Sequence, residues 1–134
     1  MTQYLIAHIG HTSKSCEHIT WWKPERRGYT YCIEKAGQYS EGDARSICRD
    51  GRCIAVPKAI ACLDARSTPY YRRSDGTLHK LYDGGPHRVV PNEGQIWKRL
   101  FAERLGGCER PDKVTPKGVK ARAIYLDGLE GGSA

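Results

Sequence analysis

The chain has 134 residues and 15.0 kDa, the size of one compact domain. A hydrophobic content of 39% and a mean hydropathy of -0.64 predict a modest core under a heavily charged surface. No stretch approaches the roughly 20 apolar residues of a membrane span. The net charge of +7 favours an acidic partner, either a phosphate backbone or an acidic protein surface.

The elements follow in chain order. Gln3 to Ile9 is rich in β-favouring residues and stops at Gly10, which predicts a first strand. The opening residues Met1 to His8 lack the cationic and apolar segments of a secretory leader, so a cytoplasmic location is expected. In that compartment the six cysteines, Cys16, Cys32, Cys48, Cys53, Cys62 and Cys108, are expected to be reduced thiols. After a polar loop from His11 to His18, Ile19 to Lys23 and Tyr29 to Ile33 make a hairpin about Pro24 to Gly28.

Ser40-Glu41-Gly42-Asp43 has the pattern of a capping box and predicts a two-turn helix with Ala44, Ile47 and Cys48 inward, ending at Asp50-Gly51. Ile54-Ala55-Val56 is a short buried run, and Pro57 opens a second helix with Ala59, Ile60 and Leu63 facing the core. Thr68 to Arg73 and Thr77 to Tyr82 flank Ser74-Asp75-Gly76, a hairpin signal. Asp83 to Pro86 forms a second turn, and His87 to Val90 returns as a strand.

From Pro91-Asn92 to about Leu105 the spacing of Ile96, Trp97, Leu100, Phe101 and Leu105 predicts the longest helix, closed by Gly106-Gly107. Ala123 to Leu126 is the one strand-like stretch beyond Cys108, and Gly128 to Ala134 is expected to stand outside the fold. The expected fold is therefore α+β, a small antiparallel sheet built from hairpins with two short helices and one longer C-terminal amphipathic helix. Residues 1–107 form one compact domain, and 108–134 form a basic C-terminal extension, partly disordered or adding one strand. Between Lys98 and Arg122 stand eight basic residues against three acids, a concentrated positive stretch.

Three constellations carry candidate chemistry. His8, His11, Cys16 and His18 are the densest group of soft metal ligands and the place for a zinc ion if one is bound, with Cys48 and Cys53 as a further pair; the spacing matches no common zinc finger. Cys and His residues are numerous enough for a nucleophile pair, but such a pair is recognised by geometry, so no catalytic residue is assigned and no enzyme is expected. Aromatic and basic residues interleave twice, around Trp21, Trp22, Arg26 and Arg27, and at Tyr70, Tyr71, Arg72 and Arg73. Such surfaces stack on unpaired bases, or supply the Trp, Tyr and Arg anchors of protein interfaces. Neighbouring strand residues face opposite sides, so one of Trp21 and Trp22 is expected to stay accessible.

Trp21-Trp22-Lys23-Pro24, Gly28-Tyr29-Thr30 and Ala36-Gly37-Gln38-Tyr39-Ser40 with Ala44 resemble a group of short phage and prophage proteins, over roughly Tyr4 to Arg73. The resemblance implies an accessory role and transfers no site. The expectation drawn from it is a protein that binds a host protein complex and inhibits or redirects it, with anti-defence activity such as CRISPR inhibition as one version. Its contacts are expected from Trp21, Trp22, Arg26, Arg27, Tyr70, Tyr71, Arg72, Arg73, Lys98 and Arg99. A nucleic-acid-binding module on the same surface is the second reading, and a small zinc-dependent module or enzyme is the third.

Overall fold

Tyr4-Leu5-Ile6-Ala7-His8 is buried at every position, which places it inside a sheet covered on both faces. The computed structural model, which describes residues 2–82, 87–106 and 110–126, shows it as strand β1 (Tyr4–His8). β1 pairs antiparallel with β4 (Cys53–Pro57) over its whole length, from Tyr4↔Pro57 to His8↔Cys53. On its other side it pairs with β2 (Trp21–Trp22) at Ala7↔Trp21, and β3 (Tyr29–Thr30) lies outside β2. The order β3-β2-β1-β4 is a four-stranded antiparallel sheet.

Alternation along β1 divides the core in two. Leu5 and Ala7 join Ile19, Trp21, Ile54 and Val56 beneath Trp97 and Leu100 of α3 (Gly94–Ala102). Tyr4 and Ile6 join Tyr39, Cys53 and Ala55 beneath Ala44 of α1 (Glu41–Ile47). Helix α1 starts as its sequence predicts, with the Ser40 hydroxyl accepting from the Asp43 amide at 3.3 Å. It ends through a 3-10 turn at Gly51, whose φ of 84° is the left-handed conformation glycine adopts without strain.

The fold class is α+β, with helix and strand boundaries tighter than the sequence predicts. Pro57 closes β4 and caps α2 (Lys58–Ala61), a single turn with only Ala61 buried. Ala59 faces water and Leu63 is 61% exposed, because the chain turns at Ile60–Leu63 before helical spacing reaches it. Helix α3 stops at Ala102, not near Leu105. Leu105 packs in the cluster on the opposite face and its amide donates to Ala55 O at 2.8 Å, a position a continuing helix cannot reach.

The hairpin around Asp75-Gly76 belongs to a second sheet. β5 (Pro69–Arg72) pairs with β6 (Leu78–Lys80) on one side and with β7 (Ile124–Tyr125) on the other. His87 to Val90 forms no strand; Val89 makes an isolated bridge to Arg66, while Arg88 O and Val90 O accept from Ile33 and Ile19. The expected turn at Asp83 to Pro86, the Gly107 stop and the tail from Gly128 lie outside the described residues.

Residues 110–126 are stitched into the body, and within the strand-like stretch Ala123 to Leu126 the pair Ile124–Tyr125 adds one strand. Glu17, buried, accepts from the amides of Arg122 (2.8 Å) and Ala123 (3.0 Å). Asn92 donates to the carbonyls of Ser13, Cys16 and Thr115 at 2.9–3.2 Å and accepts from the Trp97 indole at 2.6 Å. His18, fully buried, is held between the hydroxyls of Tyr82 (2.6 Å) and Tyr125 (2.7 Å), joining the two sheets.

Candidate functional site

The four expected metal ligands separate in the fold. His8 Nδ1 accepts from the His11 amide at 3.0 Å, while both ring nitrogens of His18 are taken by tyrosine hydroxyls. Cys16 lies 3.7 Å from the Tyr31 hydroxyl and 3.6 Å from Ser13 Oγ. Among the described residues no three His, Cys, Asp or Glu side chains gather as metal ligands. Cys48 and Cys53 sit in the apolar cluster under α1, where Cys53 accepts from the Trp22 indole at 3.3 Å and burial pushes its thiol up to about 11.

His8 and His11 instead enter an aromatic cluster with Trp22 and Tyr29. Pleating of β2 turns Trp21 into the core beneath α3 and Trp22 to the opposite face. Trp21 is therefore fully buried and is no contact residue, whereas Trp22 is half-buried. Tyr29, opposite Trp22 in the β2–β3 register, lies with its ring centroid 4.3 Å from Trp22 and 4.0 Å from His11. His8 backs them at 4.5 Å from His11 and 5.5 Å from Trp22. Burial first, and the neighbouring His11 second, pull the His8 pKa down to about 4, so its imidazole is neutral at pH 7.

Arg26 completes this surface, its guanidinium 5.2 Å from the centre of the Trp22 ring. The loop that delivers it is tightly held. Glu25 and Arg26 both take positive φ values, 57° and 55°, a conformation that costs free energy in residues with a Cβ. The Tyr39 hydroxyl braces the loop, donating to Lys23 O and accepting from the Arg26 amide. Gly37 lets the loop close, since a Cβ there would stand 2.8 Å from Pro24. Arg27 is exposed beside Glu25 at 3.2 Å, a contact of little energetic weight.

Tyr31 extends the aromatic face in the other direction. Its ring stacks on Tyr82 at 4.5 Å with 24° between the planes. Burial and the Cys16 contact push its phenol up to about 12. Two hollows share Tyr29, Thr30 and Tyr31 as a common wall. One, of about 220 Å³, continues to His11 and Thr20; the other, of about 200 Å³, continues to Lys35, Tyr82 and His87. A larger depression of about 340 Å³ lies between Leu63–Arg66 and the start of α3, with both signs of charge and the Arg99–Asp64 pair at 3.6 Å on its rim.

The remaining sequence-predicted contacts lie elsewhere. Tyr70 and Tyr71 are half-buried in β5; Tyr71 has the Arg122 guanidinium 5.9 Å from its ring. Arg72 is exposed and donates to Gly76 O at 2.8 Å, and Arg73 is exposed next to it. Lys98 and Arg99 are on the outer face of α3. The fold thus gathers Trp22 and Arg26, excludes Trp21, and leaves the β5 and α3 residues on other surfaces. The sequence reading missed Tyr29, Tyr31 and Tyr82 as site residues. The spacing Tyr29-x-Tyr31 carried a signal for the first two, since alternate strand residues share a face. Nothing local announces Tyr82. No family model, no curated protein and no solved structure matches this chain.

Proposed function

We propose that the protein is a nucleic-acid-binding module of accessory type. The observation that carries this reading is the continuous aromatic surface of His11, Tyr29 and Trp22, with Arg26 beside Trp22 on a loop braced against movement. Aromatic faces for bases beside cations for phosphates are the two elements of sequence-tolerant strand binding. A net charge of +7 adds long-range attraction. The accessory role is the expectation drawn from the sequence motif and says nothing of the ligand.

The test is fluorescence anisotropy with a labelled single-stranded oligonucleotide over a range of salt concentrations. Log affinity is expected to fall linearly with log salt. Arg26→Glu combined with Arg27→Glu is expected to weaken binding roughly tenfold or more while leaving the thermal midpoint nearly unchanged, since both side chains are exposed. Undetectable binding at low salt overturns the reading.

A second reading, capture of a host protein complex, draws on the exposed Arg72–Arg73 pair beside the Arg122-braced Tyr71. These residue types dominate interface energetics. Arg72→Glu with Arg73→Glu should then abolish retention of a discrete complex from nuclease-treated bacterial lysate. Unchanged retention by the double variant removes this surface from consideration.

A further inference from the structure

We infer that the two hollows flanking Tyr29-Thr30-Tyr31 each receive one unpaired base of a single strand, so that the protein selects single-stranded over duplex nucleic acid. This rests on the nucleic-acid reading and specifies its ligand. Both hollows share the same three-residue wall, so they lie side by side along one edge of the sheet. Tyr29 and Tyr31 are two residues apart, about 7 Å along extended chain, a spacing that sets two neighbouring ligands apart without stacking them on each other.

Each tyrosine is packed by neighbouring rings. Tyr29 is packed by His11 and Trp22, and Tyr31 is stacked on Tyr82, so neither ring must be ordered when a ligand arrives. Volumes of about 220 and 200 Å³ fall below the roughly 300 Å³ at which small-molecule sites begin, enough for a single heterocycle and too small for a base pair. The Thr30 hydroxyl accepts from the Cys32 amide at 3.0 Å and keeps its proton to donate to the polar edge of a base, which is engaged by its partner in a duplex. Lys35 stands at the second hollow as a cation for the connecting phosphate. Charge complementarity with the chain's surplus of +7 selects a polyanion over an uncharged aromatic ligand.

The experiment uses the full chain and a short single strand carrying 2-aminopurine at one position, together with a hairpin duplex containing the same strand. Stacking in a hollow is expected to quench the probe, and single-strand affinity should exceed duplex affinity by about tenfold or more. Tyr29→Leu should abolish the quenching and lower single-strand affinity roughly tenfold while leaving duplex affinity and the salt slope unchanged. Tyr29 is 36% exposed, and the thermal midpoint verifies that this variant keeps the fold; Tyr31→Leu, at a half-buried ring stacked on Tyr82, tests the second hollow with the same check. Equal affinity for both ligands with an unquenched probe overturns the inference and leaves the nucleic-acid reading standing. Failure to bind either ligand at low salt overturns both.

Discussion

Two tryptophans in the same core cluster show how much a single polar atom decides. Trp97 donates to Asn92 Oδ1 at 2.6 Å in a fully buried setting. Trp21 is equally buried, yet its indole nitrogen has no acceptor among the described residues. An unmade hydrogen bond in the interior costs about 1–3 kcal/mol. Trp97→Phe orphans the Asn92 carbonyl oxygen, whereas Trp21→Phe removes an orphan. Both leave a small void. Trp97→Phe is expected to destabilise by about 2 kcal/mol more than Trp21→Phe, measured as the shift in urea midpoint at constant slope. Equal costs would show that the Asn92 contact contributes nothing.

This distinction was not legible in the sequence. Apolar spacing marked Trp97 as a core residue, and strand alternation correctly separated Trp21 from Trp22. Which tryptophan faces inward depends on which face α3 covers, a long-range fact. The histidines illustrate the same limit. Their closeness in sequence suggested a common ligand, but the bend at Gly10 sends His8 and His11 to the aromatic face, while His18 turns into the joint between sheets. Proximity along the chain was a poor guide because the partners of His18, Tyr82 and Tyr125, are 64 and 107 residues away.

At the scale of elements, local chemistry located what local chemistry controls. The Ser40 cap, the Gly51 stop and the Asp75-Gly76 turn stand where the sequence placed them. The errors fall at ends set by packing, as at Ala61 and Ala102. The segment 110–126 was the least legible, since a basic, proline-containing stretch has the composition of a solvated tail. Its order comes from buried polar groups elsewhere in the chain: the Glu17 carboxylate, the His18 imidazole and the backbone around Asn92. A chain ending at Gly118 removes the donors to Glu17 and the Tyr125 hydroxyl from His18. Each buried polar group left unpartnered costs about 1–3 kcal/mol, so a loss of about 3 kcal/mol or more is expected by denaturant unfolding. A truncated chain as stable as the full one would reduce β7 to a decoration.

For the whole molecule, two of the buried histidines, His8 and His18, set how stability follows pH. Burial, opposed by Glu17, pulls His18 down to about 4, and burial with His11 does the same to His8, against an ordinary value of 6.5. Both rings are neutral in the native state and protonate in the unfolded chain below pH 6.5. The unfolded state then binds more protons, so stability is fully present above pH 6.5 and declines as pH falls towards 4. His18 accounts for up to about 3 kcal/mol of this decline, and His8, nearer solvent, for less. Urea midpoints between pH 7.5 and 4.5 measure it. A His18→Gln variant with an unaltered pH profile would exclude His18 as the source.

The clasp of Tyr125 on His18 also bears on how the chain is made. Synthesis proceeds from the N-terminus, and domains begin to form as they emerge. β1, β2, β3, α1 and β4 are all complete by Pro57 and pair among themselves. Every strand of that sheet is thus synthesised before α3. Glu17 and His18 are made in that early portion, yet their partners at 122–125 come more than a hundred residues later. Until then water must solvate both groups. A chain made only as far as Pro57 therefore lacks the groups that cover Glu17 and His18, and the segment of β7 is the one that supplies them last.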